Sequence, residues 1–229
     1  MTNTPSAKTS DDSRPVRVLV WDLPTRLFHG LLLLCVIISF VTGNIGGNAM
    51  RYHMLSGYVI LALLIFRLIW GFAGSRTSRF AAFVKGPASV LSYIAAILKK
   101  DEPLSLGHNP LGGWSIVAML ADLFVQVGTG LFASDDILTQ GPMYGWVARD
   151  TAHFLTGVHL ANRYVLVALI AIHIFAVMFY ASVKRENLIR PMITGVKYWH
   201  TAAEPAAGRS LPAAIIFGLA AIAVYLLVR

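Results

Sequence analysis

The stretch that decides the fold runs from His159 to His173 and reads HLANRYVLVALIAIH. It is largely apolar and continues beyond His173 to a length that can cross a bilayer. At about 100° per residue, fourteen residues fall only about 40° short of four full helical turns, so both imidazoles lie on one face. They are roughly 21 Å apart along an axis that crosses roughly 30 Å of hydrocarbon. Two imidazoles placed in this way predict two stacked metal cofactors.

The composition is that of an integral membrane protein. Of 229 residues, 56% are hydrophobic and only 13% are charged, against about 25% charged in a soluble domain. Five apolar stretches approach the length of a membrane-spanning helix. They are about Leu27–Gly43, Met54–Phe72, Leu111–Phe132, Leu160–Val183 and Leu211–Val228. We therefore predict an all-α fold, a four-helix membrane bundle with a fifth, C-terminal transmembrane helix.

The chain divides into three segments. Residues 1–17 are polar and are expected to form a disordered cytoplasmic N-terminus. Residues 18–197 form the membrane domain, and residues 198–229 a linker with the extra helix. Within the long connection after the second span, Pro87–Lys100 has apolar residues at helical spacing. This pattern predicts an amphipathic helix on the cytoplasmic membrane surface, with a solvated loop as the alternative.

The basic residues set the orientation in the membrane. The net charge is +8, and its distribution favours a membrane surface over nucleic acid. Lys and Arg are frequent before the first span, between the second and third spans and after the fourth, and sparse in the other connections. The positive-inside rule then places the N-terminus in the cytoplasm, and we expect a multi-pass protein of the inner (plasma) membrane.

Two further histidines complete a paired arrangement. His29 opens the first span, on the cytoplasmic side, and His53 opens the second, on the outer side. The fourth span places His159 on the outer side and His173 on the inner side. Because four-helix bundles bind cofactors between facing helices, we predict two bis-histidine haem b groups, held by His53 with His159 and by His29 with His173. Two ligands at each level are too few for a closed zinc site.

Three other histidines compete with this assignment. His153 is twenty residues from His173, about 200° around the helix, so its side chain faces the opposite side. His108 lies in a Gly-His-Asn-Pro turn on the cytoplasmic side, where it is a quinone or propionate contact or a plain loop residue. His200 lies in the linker and is expected to be solvent-exposed.

Three ionisable residues also lie in or beside the apolar stretches. Arg67, at the level of the inner haem, either pairs with haem propionates or extends its charge to lipid phosphates. Arg51, beside His53, has the same two alternatives at the outer level. Asp122 lies near the middle of the third span, where it is either hydrogen-bonded, for example with Gln126, or part of a proton path.

Several motifs together resemble the bacterial cytochrome b561 / Ni-hydrogenase-type cytochrome b family. They are Val20–His29, His53 with Gly57-Tyr58 and Phe66–Gly71, Gly107–Gly113, Thr129–Ser134, His159–His173 and Val183–Leu188. The resemblance implies a di-haem electron-transfer protein in which these four histidines, His29, His53, His159 and His173, bind the iron. Physically, the opening run at Trp21–Arg26 is interpreted as an interfacial anchor, with the indole at the headgroups.

The leading hypothesis is therefore a respiratory cytochrome b that transfers electrons between the membrane quinone pool and a redox partner. A hydrogenase and a soluble c-type cytochrome are the candidate partners, and quinone is a candidate second ligand. Bis-histidine ligation leaves no open iron position, which suits electron transfer. One alternative is an enzyme that oxidises superoxide or quinol at the outer face. A second is a haem-free, proton-coupled transporter that uses the histidines and Asp122.

Overall fold

The structure is a computed structural model that describes residues 15–99, 105–199, 205–206 and 209–229. Its helices and strands are, in chain order, β1 (Val16–Leu19), α1 (Leu23–Ile45), α2 (Met50–Ala73), α3 (Phe80–Phe83), α4 (Pro87–Lys99), α5 (Pro110–Gly130), α6 (Arg149–Ser182), α7 (Ile189–Thr194), β2 (Val196–Trp199) and α8 (Ser210–Val228). Among the described residues, five helices are long and apolar enough to cross a membrane. These findings confirm the all-α membrane fold with five spans.

The long helices pack around α2. Helix α1 lies along α2, α6 lies along α5, and α2 also contacts α5 and α8. More than half of the apolar window of α2 is buried, including Leu63, Leu64 and Trp70. Only Ala152 and Leu166 are buried on α6. The fifth span therefore extends the bundle on the side of α1 and α2, and most of the α6 surface is exposed.

Three helices begin four or more residues earlier than the hydropathy pattern indicated, namely α1, α6 and α2, which begins at Met50 rather than Met54. Helix α1 begins at Leu23 because Asp22 caps it, with Asp22 Oδ1 accepting a 2.9 Å hydrogen bond from the Thr25 amide. Helix α6 begins at Arg149, well before the apolar stretch from Leu160, and projects its first turns beyond the apolar region. A helix can continue past the bilayer, and apolar length alone does not show this. We call the end of the bundle at which α1 begins the inner end, and the opposite end the outer end.

At the inner end of the bundle, the first and last segments of the membrane domain pair with each other. Strand β1 pairs antiparallel with β2, from Val16 opposite Trp199 to Leu19 opposite Val196. The expected disorder of residues 1–17 is therefore wrong for Val16 and Arg17, which are in the strand. The rest of that segment up to Arg14 lies outside the described residues, as do Lys100, His200 and most of the linker.

The interfacial anchor expected at Trp21 is also corrected by the structure. Trp21 is buried, and its ring lies 4.6 Å from that of His108, centre to centre. Arg26 donates to the Ile193 carbonyl at 2.7 Å instead of extending towards lipid. The pairing of β1 with β2 covers this segment, so an aromatic residue that the sequence placed at the headgroups is part of the packed inner end.

The amphipathic segment after α2 does form a helix, α4. Its one buried residue is Tyr93, whose hydroxyl lies 2.9 Å from that of Tyr180 on α6. Asn109 Nδ2 donates to the same Tyr180 hydroxyl at 2.8 Å. Helix α4 is thus held against the inner ends of α5 and α6 by a chain of polar side chains.

Candidate functional site

The structure brings His53 and His159 together at the outer level. Their ring centres are 6.0 Å apart, and the ring planes are perpendicular. His53 comes from the first turn of α2, and His159 from the third turn of α6. The predicted outer pair is therefore observed as a pair of neighbouring imidazoles on two facing helices.

The His53 ring is held by α1. Its Nδ1 atom lies 2.9 Å from the Ser39 carbonyl oxygen, and a carbonyl can only accept, so Nδ1 carries the proton. A Cβ on Gly43, one turn along α1, would lie 2.9 Å from the same nitrogen. The Ser39 hydroxyl is 2.6 Å from that of Ser56, which donates to the His53 carbonyl at 2.9 Å. Helix α1 thus fixes both the tautomer and the position of the ring.

The His159 ring is held by α5 in the same way. Its Nδ1 atom donates to the Gln126 carbonyl at 2.8 Å, and a Cβ on Gly130 would lie 3.0 Å from His159 Cε1. The Gln126 side chain also reaches the histidine, because its Nε2 donates to the His159 carbonyl at 3.2 Å. Asn162 Nδ2 donates to Gln126 Oε1 at 2.9 Å. In both rings Nε2 is therefore the unprotonated nitrogen, and the Gln126 amide nitrogen lies 3.4 Å from that of His159.

The inner pair is built differently. His29 and His173 lie close enough to interact electrostatically, so the topology brings this pair to one level as well. Among the described residues, neither imidazole has a hydrogen-bond partner, and no glycine meets either ring. The orientation of these two rings is therefore not set by contacts of the kind seen at the outer level.

Two nitrogen-bearing side chains, Arg67 and His108, lie near each other, and His108 also lies near the inner pair. Arg67 is buried, with its guanidinium 4.9 Å from the centre of the Phe80 ring and 5.9 Å from that of Phe83. His108 lies between the rings of Trp21 and Phe83. Burial, reinforced by the charge of Arg67, lowers the pKa of His108 to about 3, so the ring is neutral near pH 7.

Both of these side chains have a buried nitrogen without a partner. In the part of the chain that the structure describes, neither Arg67 Nη1 nor His108 Nδ1 makes a hydrogen bond. An unpaired buried donor is costly, and for a guanidinium the natural partner is a carboxylate. A buried Arg67 does not extend its charge to lipid phosphates, so this alternative is not what the structure shows.

The other sequence candidates lie elsewhere. Arg51 is exposed at the outer end, on the wall of a cavity of about 540 Å³ that Gln140 and Met54 also line. His153 lies on the surface, where its ring contacts Asp136 and Arg149 rather than His53. Asp122 is buried on α5 and its Oδ2 atom has no partner among the described residues, while Asn162 donates to its backbone carbonyl.

The outer pair fits a bis-histidine metal group. A metal bonded at about 2.0 Å to one nitrogen of each ring holds the ring centres roughly 6 Å apart, as observed for His53 and His159. The protonated Nδ1 atoms leave Nε2 free to bind a metal, and a carbonyl on Nδ1 is the usual outer-shell partner of a ligating histidine. At the inner level, the unpaired nitrogen of Arg67 fits the carboxylate of a haem propionate.

The residues that hold the outer rings were not identified from the sequence. A signal for them exists, because α1 contains Ser39-Phe-Val-Thr-Gly43 and α5 contains Gln126-Val-Gly-Thr-Gly130. In each, the first residue supplies the carbonyl, and the glycine one turn later meets the ring. The position within the motif matters, because a Cβ on Gly128, two residues before Gly130, meets nothing within 4 Å.

The fold is thus that of an all-α, multi-pass membrane protein, and comparison with known proteins defines its family. The model of the family described as prokaryotic cytochrome b561 matches residues 20–195. The chain belongs to the prokaryotic cytochrome b561 family. It is accordingly a b-type cytochrome of electron transfer, which binds haem b.

Similar proteins carry one common name. A "Probable Ni/Fe-hydrogenase B-type cytochrome subunit" of Azotobacter chroococcum mcd 1 is 28% identical over 229 residues, covering 83% of this chain and 94% of that protein. Proteins of the same name from Azotobacter vinelandii and Bradyrhizobium diazoefficiens are 27% and 24% identical, covering 83% and 78% of this chain and 94% and 85% of their own lengths. Membership in a cytochrome family argues against the haem-free transporter.

Proposed function

We propose that this chain is a di-haem cytochrome b that transfers electrons between the membrane quinone pool and a hydrogenase. His53 and His159 hold the outer haem, and His29 and His173 the inner haem. The observation that carries this proposal is the 6.0 Å distance between the centres of the outer rings, in both of which Nδ1–H donates to a backbone carbonyl. When bound, haem b supplies one-electron chemistry without a proton or an open iron site.

Arg67 and His108 have a binding role at the inner level. The buried guanidinium of Arg67 pairs with a propionate carboxylate, which satisfies its free nitrogen. The neutral His108 ring, fixed between Trp21 and Phe83, offers a second polar atom to the propionate or to a quinone carbonyl. Arg51 has the weaker role of an exposed cation near the outer haem.

Haem stoichiometry tests the ligand assignment. We expect the purified protein to hold two haems b per chain, measured by the pyridine haemochrome spectrum. Each of the variants His29→Ala, His53→Ala, His159→Ala and His173→Ala is expected to hold one. His153→Ala is the matched control and keeps two, because its ring lies on the surface. One haem in the unmodified protein, or loss of haem in the control alone, contradicts the assignment.

The hydrogenase is proposed from the names of the relatives and from the electron-transfer class of the protein. In membranes that contain the chain and its partner, H₂ should reduce the b-type α-band. A variant that lacks the pair of histidines nearer the hydrogenase should lose this reduction while keeping one haem, whereas the haem that remains in a variant lacking the other pair should still be reduced. Reduction by a soluble ferrous cytochrome c, with no response to H₂, would instead indicate the other candidate partner.

The orientation rests on the charge distribution, with the N-terminus and the inner end in the cytoplasm of a bacterial cell. Five spans then place the two ends of the chain on opposite sides. Alkaline phosphatase fused after Arg229 should be active, and the same reporter fused in the α3–α4 connection, near Lys85, should be inactive. The reverse pattern would invert the assignment of the haems to the two faces.

A further inference from the structure

The two outer histidines are held by the same structural device, although they lie on different helices and are held by different neighbours. On α1 the device consists of the Ser39 carbonyl and Gly43, and on α5 of the Gln126 carbonyl and Gly130. We call each of these pairs a carbonyl–glycine clamp. In each clamp the two residues are four apart, so they lie on the same helix face, one turn from each other.

Each clamp acts on the ring from two directions. The carbonyl accepts from Nδ1, at 2.9 Å for His53 and 2.8 Å for His159. The glycine closes the adjacent space, since a Cβ would come within 2.9 Å of the first ring and 3.0 Å of the second. A Cβ at 2.9 Å requires the His53 ring or α1 to move, and one at 3.0 Å requires the His159 ring to give by a few tenths of an ångström. Gly43 and Gly130 are therefore the positions at which α1 and α5 reach the imidazoles.

Side-chain hydrogen bonds reinforce both clamps. The Gln126 amide nitrogen donates to the His159 carbonyl and also lies 3.3 and 3.4 Å from the two ring nitrogens. Asn162 holds this amide by donating to its oxygen. On the other side, the hydroxyls of Ser39 and Ser56 form the equivalent connection to the His53 carbonyl. The threonine before each glycine, Thr42 or Thr129, bonds back to the carbonyl four residues earlier.

We propose that the two carbonyl–glycine clamps set the perpendicular orientation of the His53 and His159 rings, so that Ser39, Gly43, Gln126 and Gly130 are positioning residues of the outer metal site. This inference rests on the proposed ligation of the outer haem by these histidines. It goes further by assigning the ring planes, which are 90° apart, to backbone contacts of α1 and α5. Outer-shell partners of this kind change ligand affinity by about 10–100-fold when they are altered.

Alanine substitution of glycines gives a matched test. In Gly43→Ala and Gly130→Ala the new methyl group displaces a ring. Gly128→Ala and Gly218→Ala are the controls, because a Cβ at either position meets nothing within 4 Å. Gly128 lies two residues from Gly130 and faces about 200° away from it, and Gly218 lies on α8, which carries none of the four histidines. All four changes replace a helical glycine by a better helix former.

The readout is the electron paramagnetic resonance spectrum of the ferric protein together with haem content. Low-spin bis-imidazole haem with perpendicular rings gives a strongly anisotropic signal, which His159→Ala assigns to the outer site. We expect Gly43→Ala and Gly130→Ala to shift this signal and to weaken retention of the outer haem about 10–100-fold. The signal of the inner haem in the same sample, and both signals in the controls, should be unchanged.

A further variant, Gln126→Met, tests the proposal if Gly43→Ala or Gly130→Ala does not accumulate in the cell. Gln126→Met keeps the backbone carbonyl and the glycine but removes the amide that braces His159, so a smaller shift of the same signal is expected. If Gly43→Ala, Gly130→Ala and Gln126→Met all match the unmodified spectrum and its two haems, the clamp proposal fails and the ligand assignment stands. If the outer signal survives in His159→Ala, the ligand assignment itself fails, and this proposal fails with it.

Discussion

The imidazoles of His53 and His159 each donate to a backbone carbonyl and touch a glycine, whereas His29 and His173 have neither contact among the described residues. The inner level has instead a buried arginine with a free nitrogen, Arg67. At the outer level, ring orientation is fixed by the protein alone. At the inner level, buried nitrogens of Arg67 and His108 are left without a partner in the part of the chain that the structure describes. The two proposed haem levels therefore differ: the rings are held by backbone contacts at one level, and an unpaired buried cation lies at the other.

The largest effect expected from this difference is at Arg67. Arg67→Met removes the buried cation, and we expect retention of the inner haem to fall about 10–100-fold while the outer haem is kept. Arg67→Lys should retain the inner haem better than Arg67→Met but less well than the unmodified protein, because an ammonium lacks the bidentate geometry of a guanidinium. Haem content after dilution into apo-myoglobin, which captures released haem, measures the loss.

Arg51→Met is the control for this change, since Arg51 is an exposed cation at the other level. We expect it to retain both haems. Equal losses from Arg51→Met and Arg67→Met would mean that the two levels do not differ in their use of charge.

A second prediction concerns the packing behind the inner level. Asp22 Oδ1 accepts from the Thr25 amide, and its Oδ2 accepts from Trp70 Nε1 at 3.1 Å and from Ser78 Oγ at 3.3 Å. Asp22→Ala removes the cap of α1 and leaves a buried indole N–H unpaired. The free energy of unfolding should fall by about 2–4 kcal/mol.

Thermal or denaturant unfolding in detergent measures this loss. The exposed Asp136 on the outer side is the control, and Asp136→Ala should change stability by less than about 0.5 kcal/mol. A neutral result for Asp22→Ala would show that the inner level does not depend on the polar network beneath it.

The smallest predicted effect is at the outer surface. Three backbone N–H groups, from Ile137, Leu138 and Thr139, donate to Asp135 Oδ1 and lower the pKa of this carboxyl to about 2. Its pKa in the unfolded chain is about 3.9, so the charged form stabilises the loop above about pH 4, and this contribution is lost as the pH falls towards about 2.

Hydrogen exchange of the three amides between pH 5 and pH 2 measures the effect. Protection, corrected for intrinsic exchange rates, should decline across this range in the unmodified protein, and in Asp135→Asn it should be independent of pH. Unchanged protection down to pH 2 in the unmodified protein would show that the carboxylate does not hold the loop.

Much of the architecture was predictable because the signals are local. Hydropathy over about twenty residues gave five spans, and helical phase separated His153 from the face of His173. The helix ends were less predictable. The start of α1 depends on the Asp22 cap, and α6 begins at Arg149, well before its apolar stretch. The predicted environment of Trp21 was wrong, because the pairing of β1 with β2 buries this residue. That pairing joins distant segments, so no local sequence pattern indicates it.

For the candidate site, the sequence by itself predicted the pairing of four histidines at two levels of the bundle, because the alternation of spans and the helical repeat define depth and face. Only the tertiary structure decided how the rings are held. Carbonyl acceptors are present at every residue, and a glycine meets a ring only when two helices approach closely. Whether Arg67 is buried or extends towards lipid was equally undecided by sequence, since that depends on Phe80, Phe83 and the segments folded around it.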